Sequence, residues 1–365
     1  MAITILCVVG TRPDAIKMAP IIRRLRNESW ADVRVLATAQ HRQMLDEVLD
    51  FFQIVPDVDL DAMTHNQQLA SLTAKILQRS ESLLQTIKPS VVLVQGDTVT
   101  AMAVAMASFF AQIPIGHVEA GLRTGNLSHP FPEEANRVII SKLASWHFAP
   151  TRGAETNLLA DGIAQDAIHV TGNSVIDALL WTAAQKVELG LEIPDEQRLV
   201  LVTVHRRESF GQPLQNICQA LKTLAERNPK ATFLFPTHPN PNVHTVVHQK
   251  LGGIDNVVLC EPLDYSRFVA AMKRANLIIS DSGGVQEEAP ALGTPVVVLR
   301  ETTERPEGVD LAAIKVVGTD TERIVRQAQK YLDSPVDSES IKAFPYGDGH
   351  TAEMITSILK KEFVQ

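Results

Sequence analysis

The sequence alternates short β-branched runs with longer stretches of helical period, and it does so in two successive series. In the first series the strand-like runs are residues 3–10, 33–39, 90–97 and 113–121. In the second they are residues 199–205, 231–238, 256–262, 276–284, 294–301 and 314–318. Short runs of this kind suit strands that are buried on both faces of a parallel sheet. The pattern predicts an α/β protein of two Rossmann-like, doubly wound domains with the functional cleft between them.

Length and composition agree with two domains and exclude several classes of protein. At about 150 residues per domain, a chain of 365 residues suggests two domains. The net charge of −8 argues against a duplex nucleic-acid binder, because neutralising phosphates needs a basic surface. No apolar run reaches the roughly 18 residues of a membrane span. The three cysteines form no CxxC pair and suit a reducing compartment, so we predict a cytoplasmic protein with no membrane partner.

The first polar motif at a strand end is GTRPDAIKMAP, residues 10–20. Pro13 can open a helix, and Arg12 and Lys17 place positive charge near its N-terminus, which suits a phosphate or another anion. The alternative is an ordinary turn between strand and helix with two solvated cations. The motif lacks the GxGxxG spacing, which disfavours a bound dinucleotide.

The second motif is SDSGGVQEEAPALG, residues 280–293, which again follows a strand. Its serine and glycines allow close approach of the backbone to a diphosphate at a helix start, and its second glutamate could accept hydrogen bonds from sugar hydroxyls. An arginine after the next strand could reach the same anion. The predicted contacts are Ser282, Gly283, Gly284, Glu288 and Arg305. For the glutamates, a favourable interaction with the helix dipole is the alternative.

The third group consists of residues that could transfer protons. Asp97, Glu119 and His205 each end a predicted strand, and Glu133 and Arg137 follow at i, i+4 on one helical face. Carboxylates and a histidine at the rim of a cleft are suited to general acid–base catalysis. The alternatives are a helix cap for the aspartate, a surface ion pair for the i, i+4 residues and a core position for the histidine. The histidines are scattered and no HExxH motif occurs, so we predict no metal site.

Taken together, the motifs resemble one family over essentially the whole chain. In order, they are GTRPDAIKMAP, TAQHRQMLD, GDT, HVEAGLRTG, PEEANR, TGNSVIDAL, HRRES, DSGGVQEEAP and TTERPEG. This series is similar to that of the non-hydrolysing UDP-N-acetylglucosamine 2-epimerases. The resemblance implies the GT-B fold, with an N-terminal domain of residues 1–172 plus a C-terminal helix at about 350–365, and a UDP-binding domain of residues 173–349.

The resemblance also implies roles for individual residues. The implied nucleotide-sugar contacts are Arg12, Lys17, Phe268, Ser282, Gly283, Gly284, Glu288 and Arg305, and the implied catalytic residues are Asp97, Glu119, Glu133 and His205, supported by Arg137. A second, regulatory UDP-N-acetylglucosamine site would use Gln40, Gln43, Glu133, Arg206 and His238. The family's usual arginine in that site aligns with Asn66, which weakens the expectation of regulation. Asp14 stands where most members have glutamate.

The implied reaction is the reversible conversion of UDP-N-acetylglucosamine to UDP-N-acetylmannosamine, an entry to cell-envelope polysaccharides. Elimination of UDP to a glycal-type intermediate and its re-addition would need no NAD and no metal. The resemblance further implies a homodimer and allosteric activation by UDP-N-acetylglucosamine. The alternatives are a hydrolysing epimerase that releases N-acetylmannosamine and UDP, an epimerase for a diacetamido uronate nucleotide, a GT-B glycosyltransferase and a non-catalytic sensor.

Overall fold

The chain folds into two compact units, each built around its own parallel sheet. The computed structural model describes residues 2–38, 42–62, 68–194, 196–303, 308 and 313–364. One unit consists of residues 1–178 and 346–365, and the other consists of residues 179–345. The division between the units therefore lies inside the helix Ser174–Ala183. The boundary predicted from the sequence lies just before that helix.

The described part of the N-terminal unit alternates strands and helices. Its strands are β1 (Ile3–Val9), β2 (Ala31–Ala37), β3 (Val58–Asp59), β4 (Val91–Gln95), β5 (Ile115–Val118), β6 (Trp146–Ala149) and β7 (Ile168–Val170). Its helices are α1 (Arg12–Arg26), α2 (Arg42–Phe51), α3 (Leu69–Ile87), α4 (Val99–Phe110), α5 (Glu133–Leu143), α6 (Arg152–Ala160), α7 (Ser174–Ala183) and, at the end of the chain, α14 (Thr351–Val364).

The seven described strands of this unit form one parallel sheet in the order β3-β2-β1-β4-β5-β6-β7. Residues of β4 are buried throughout, because helices cover both faces of a doubly wound sheet. The strand order reverses between β1 and β4, which is the switch point where ligands bind in folds of this kind. The segments that follow β1 and β4 carry Arg12 and Asp97.

The described part of the C-terminal unit repeats this architecture. Its strands are β8 (Arg198–Thr203), β9 (Ala231–Pro236), β10 (Val257–Cys260), β11 (Leu277–Ser280), β12 (Val296–Val298) and β13 (Ile314–Val316). Its helices are α8 (Gln212–Arg227), α9 (Pro241–Leu251), α10 (Tyr265–Arg274), α11 (Gly283–Glu288), α12 (Thr321–Asp333) and α13 (Ser338–Ile341). The six strands form a parallel sheet in the order β10-β9-β8-β11-β12-β13, which reverses between β8 and β11. His205 and Ser282 follow those two strands.

The last helix, α14, belongs to the N-terminal unit. The Asp177 carboxylate accepts hydrogen bonds from the backbone N–H groups of Thr351 and Ala352 at the start of this helix, at 3.3 and 2.8 Å. Near its end, the Phe363 ring packs on Trp146 of β6 with the ring centroids 5.6 Å apart. These contacts fix α14 at both ends, although its hydrophobic period alone assigns it to neither unit.

Within the described residues, no helix is both long enough and apolar enough to cross a lipid bilayer.

Candidate active site

The turn after β1 opens α1 with a capping box. Thr11 is the N-cap, and its hydroxyl accepts a hydrogen bond from the Asp14 backbone N–H. In return, the Asp14 carboxylate accepts one from the Thr11 backbone N–H. The Asp14 carboxylate also accepts from Gly10 N and from the Thr98 hydroxyl, at 3.2 and 3.3 Å. Burial raises the pKa of Asp14 to about 6, and its hydrogen bonds with Thr11 oppose the rise. Arg12 is the first residue of the helix and is half-buried, as an anion contact would require.

The turn after β4 presents Asp97. Its carboxylate pairs with the Arg137 guanidinium of α5, and about a quarter of the side chain (26 %) stays exposed. Burial raises the pKa of Asp97 and the neighbouring Glu119 charge adds to the rise, whereas the Arg137 charge lowers it. The cap of α4 is Thr98, whose side chain accepts from Ala101 N, so the helix-cap alternative for Asp97 is wrong. Asp97 thus lies at the switch point of the sheet with its carboxylate paired to Arg137.

Glu119 follows β5 in the left-handed region of backbone conformation, at φ 63°. Its buried carboxylate accepts three hydrogen bonds, from Lys17 Nζ at 2.6 Å, Gln95 Nε2 at 2.5 Å and Asn173 Nδ2 at 2.8 Å. Lys17, which the sequence assigns to nucleotide-sugar binding, therefore forms an ion pair with a predicted catalytic residue. The arrangement places a carboxylate and an ammonium group together beneath the switch point.

Helix α5 contributes Glu133 and Arg137. These two residues do not form the surface ion pair that was the alternative to a catalytic role. The Arg137 guanidinium bonds the Asp97 carboxylate and lies 3.2 Å from the Glu134 carboxylate. Glu133 is the first residue of the helix and is half-buried. Sequence reasoning overlooked Glu134, which is buried and accepts from Thr124 N and Gly125 N at 3.0 Å each.

In the C-terminal unit, His205 is organised by a buried aspartate, Asp281. The Asp281 carboxylate accepts from the backbone N–H groups of His205 and Arg206 and from the Ser209 hydroxyl, at 3.1, 2.9 and 2.7 Å. His205 Nδ1 lies 3.3 Å from the same carboxylate. The imidazole is 40 % exposed, so the alternative of a core histidine is wrong. Partial burial lowers the pKa of His205, although the Asp281 charge opposes this.

Asp281 was missed by sequence reasoning, although the signal was present. It lies in the motif at residues 280–293 and directly follows β11, where strand-end polar residues carry weight. Strands β8 and β11 are neighbours in the sheet, and the buried Asp281 carboxylate links the turns that follow them.

The glycine motif at the start of α11 forms a backbone surface. Ser282 is the N-cap and makes no side-chain cap hydrogen bond, and Gly283 and Gly284 begin the helix. A Cβ on Gly283 would lie 3.2 Å from Arg206 Nη2, so glycine leaves room beside this guanidinium. Glu288 is buried at the last position of the helix. Backbone N–H groups at the start of a helix and an adjacent cation are suited to a diphosphate.

The remaining predicted contacts are distributed as follows. Arg206 lies beside Gly283, and the His238 imidazole stacks on His205 with the ring centroids 6.4 Å apart. Phe268 is half-buried in α10. The predictions for Gln40, Asn66 and Arg305 fall outside the described residues, as does that for the Gln43 side chain.

The described residues contain no group of three or more His, Cys, Asp or Glu side chains that could hold a metal ion.

Comparison with known proteins places this chain in a family. Residues 23–360 match the family model described as UDP-N-acetylglucosamine 2-epimerase. The chain is 47 % identical to the UDP-N-acetylglucosamine 2-epimerase of Salmonella typhimurium over 98 % of both proteins. It is 46 % identical to that of Escherichia coli, again over 98 % of both.

Solved structures give the same result. The UDP-GlcNAc 2-epimerase of Neisseria meningitidis, bound to UDP-GlcNAc, superposes with a TM-score of 0.88 at 43 % identity, covering 98 % of this chain and 100 % of that chain. A glycosyltransferase from Rickettsia africae superposes with a TM-score of 0.65 over 99 % of this chain and 98 % of its own. At 13 % identity this last match shows the shared fold alone, which is the predicted GT-B arrangement of two parallel α/β sheets.

Proposed function

Because the chain belongs to the UDP-N-acetylglucosamine 2-epimerase family, we propose that it interconverts UDP-N-acetylglucosamine and UDP-N-acetylmannosamine without releasing UDP. The coarser conclusion, an isomerase with UDP-N-acetylglucosamine 2-epimerase activity, follows from 47 % identity over the full length of a relative. The proposal adds that the intermediate is retained and that particular residues carry the chemistry.

The mechanism we propose begins with elimination. A base removes the proton from C2 of the sugar, the bond from C1 to the diphosphate oxygen breaks, and UDP leaves with the electron pair. The sugar becomes a 2-acetamidoglucal with a C1–C2 double bond. The diphosphate oxygen then attacks C1, and an acid returns a proton to the other face of C2. No electrons are gained or lost, so the reaction needs no hydride acceptor.

The single observation that carries this proposal is the setting of Asp97. It lies at the switch point of the first sheet, beside the Arg137 cation, with its pKa raised by burial and by the Glu119 charge. A carboxylate with a raised pKa is better suited to accepting and returning a proton than an ordinary one. We assign proton transfer to Asp97 and Glu133, with Glu119 as the third carboxylate of the set.

The C-terminal unit supplies the groups we assign to UDP. The helix start at Gly283 and Gly284 offers backbone N–H groups, and Arg206 lies beside it. Such preorganised donors stabilise the negative charge of a departing diphosphate. His205 is held by Asp281, and its lowered pKa keeps the imidazole neutral near pH 7, ready to donate or accept a hydrogen bond. We assign to it the support of UDP departure, with Arg12 and Arg305 as further contacts of the diphosphate.

Two finer proposals concern regulation and assembly. In the C-terminal unit we propose Arg206 and His238 as contacts of a regulatory UDP-N-acetylglucosamine, and the stacking of His238 on His205 supports a defined position for the His238 ring. A homodimer is supported by two exposed rings at the end of α4, Phe109 and Phe110, which are 53 % and 62 % exposed.

The experiment that tests the proposed function is product analysis of the purified protein with UDP-N-acetylglucosamine. Chromatography resolves UDP-N-acetylmannosamine, free UDP and N-acetylmannosamine. We expect the first at an equilibrium ratio and little free UDP. Free UDP in amounts equal to N-acetylmannosamine would instead identify a hydrolysing epimerase, and UDP release that requires an added sugar acceptor would identify a glycosyltransferase.

A further inference from the structure

The turn that carries Asp97 is held by two buried side chains that have no part in the reaction proposed above. His117 Nε2 lies 2.7 Å from the Gly96 carbonyl oxygen. Asn136 Nδ2 donates to the Asp97 carbonyl oxygen at 2.9 Å. Two successive carbonyl groups of one turn are therefore bonded by side chains from two different elements, β5 and α5.

His117 is suited to this single bond. It is fully buried in β5, and burial lowers its pKa to about 3, so the ring is neutral near pH 7. A neutral imidazole has one N–H, and a carbonyl oxygen can only accept, so the proton is on Nε2. Nδ1 is buried and has no hydrogen-bond partner among the described residues. The imidazole thus makes one directed bond, to the Gly96 carbonyl.

Asn136 acts from the opposite side of the turn. It is buried in α5, one residue before Arg137, whose guanidinium bonds the Asp97 carboxylate. Adjacent residues of one helix therefore hold the backbone and the side chain of Asp97. His117 bonds the peptide group that joins Gly96 to Asp97, and Asn136 bonds the next one, which joins Asp97 to Thr98.

Gly96 makes this arrangement possible. It has φ 64°, in the left-handed region that favours glycine, and a Cβ there would lie 3.4 Å from Glu119 Oε2. With no side chain at this position, only hydrogen bonds define the path of the turn. A turn with a glycine hinge needs external partners to keep one conformation.

We propose that His117 and Asn136 are positioning residues for Asp97. They fix the two peptide groups that flank the Asp97 Cα and so direct its carboxylate toward C2 of the sugar. This inference rests on the proposed role of Asp97 as a proton carrier. Displacing a reacting group by about 1 Å can cost about 100-fold in rate, so loss of either bond is expected to lower turnover and not substrate affinity.

The test compares His117→Leu, which removes the donor, with His117→Gln, whose Nε2 can take the place of the imidazole Nε2. For His117→Leu we expect kcat to fall at least about 10-fold while KM stays within about 2-fold, because the contact acts only on the chemical step. His117→Gln should recover most of that loss. Asn136→Ala should behave like His117→Leu.

The matched control is His147→Leu. His147 is a buried histidine on β6, paired in register with His117, and among the described residues its side chain makes no hydrogen bond with Gly96 or Asp97. We expect this variant to lose thermal stability and to keep kcat. If His147→Leu and His117→Leu lower kcat equally, or if His117→Gln is no better than His117→Leu, the positioning role is wrong.

Crystal structures of the wild type and His117→Leu make the inference independent of the assay. The expected result is a rotated Gly96–Asp97 peptide and an Asp97 carboxylate displaced from Arg137. An unchanged turn would overturn the inference even if the wild type is active. If the wild type makes no UDP-N-acetylmannosamine, the proposed function fails, and the two structures still decide whether His117 holds the turn.

Discussion

The two units hold their candidate residues in opposite ways. In the N-terminal unit, charged side chains bond one another, as Lys17 bonds Glu119 and Arg137 bonds Asp97. In the C-terminal unit, the buried carboxylate of Asp281 accepts hydrogen bonds from backbone N–H groups. The backbone of Gly283 and Gly284, at the start of α11, is the proposed contact for a ligand. The difference suggests a division of labour, with proton transfer in the first unit and diphosphate binding in the second.

The largest expected effect comes from a change in the N-terminal unit that should impair proton transfer and leave UDP binding intact. Asp97→Asn should lower kcat by about 1,000-fold, because general acid–base groups contribute roughly 100- to 10,000-fold. Steady-state kinetics measures the loss, and calorimetric titration with UDP should give an unchanged dissociation constant. Activity within about 10-fold of the wild type would remove Asp97 from the proton-transfer step.

The reciprocal change is Gly283→Val in the C-terminal unit. The added side chain would crowd the Arg206 guanidinium, which lies 3.2 Å from the position of a Cβ, and would cover the backbone surface. We expect UDP to bind about 10-fold more weakly or worse, a loss of at least 1.4 kcal/mol. Calorimetry with UDP measures this, and Gly283→Ala should give a smaller loss. Undiminished UDP binding would place the diphosphate elsewhere.

A smaller effect is expected from Arg137→Met, which tests whether the pKa of Asp97 determines the pH dependence of the reaction. The Arg137 charge lowers the pKa of Asp97, so its removal should raise that pKa further. Since the carboxylate must be ionised to act as a base, the acid limb of kcat/KM should move to higher pH by about one unit. Lys142→Met is the matched control, because Lys142 lies on the same helix and bonds the Asp161 carbonyl instead. An unmoved limb would mean that Asp97 does not determine it.

The last prediction concerns stability and not activity, and it tests the raised pKa of Asp14. Its pKa is raised from 3.8 to about 6, so the folded protein binds a proton that the unfolded chain does not. This contribution to stability is fully present below pH 3.8 and is lost as the pH rises through about 6, a change of roughly 3 kcal/mol. The melting temperature of the wild type, relative to Asp14→Asn, should therefore increase as the pH falls from 7 toward 4.

Asp14→Glu keeps a carboxylate and is the control for this pH dependence. Its melting temperature should change with pH in the same direction as that of the wild type. A difference between wild type and Asp14→Asn that is constant from pH 4 to 7 would contradict the raised pKa.

The sequence predicts most of the fold because buried parallel strands leave a strong signal. Runs of valine, isoleucine and leucine mark β1, β4 and β11, and the structure has strands there. By contrast, β6 and β7 were missed, since WHFA and IHV are short and interrupted by histidine. The series of motifs led to the family, and the comparisons confirm that assignment.

The contacts within the site were less predictable. Spacing along the chain suggested a pair between Glu133 and Arg137, whereas Arg137 bonds Asp97, 40 residues away in sequence. Lys17 and Glu119 are 102 residues apart. Pairings of this kind depend on which strand ends become neighbours, and that information comes from strand order. Periodicity along the chain does not contain it.

The most direct test of the central claim is proton NMR of UDP-N-acetylglucosamine and the wild-type protein in D₂O. If a carboxylate removes the C2 proton and an acid returns one from solvent, deuterium should appear at C2 of both nucleotide sugars. Phosphorus NMR on the same sample should show that little free UDP accumulates. Formation of UDP-N-acetylmannosamine that keeps the original hydrogen at C2 would contradict the account.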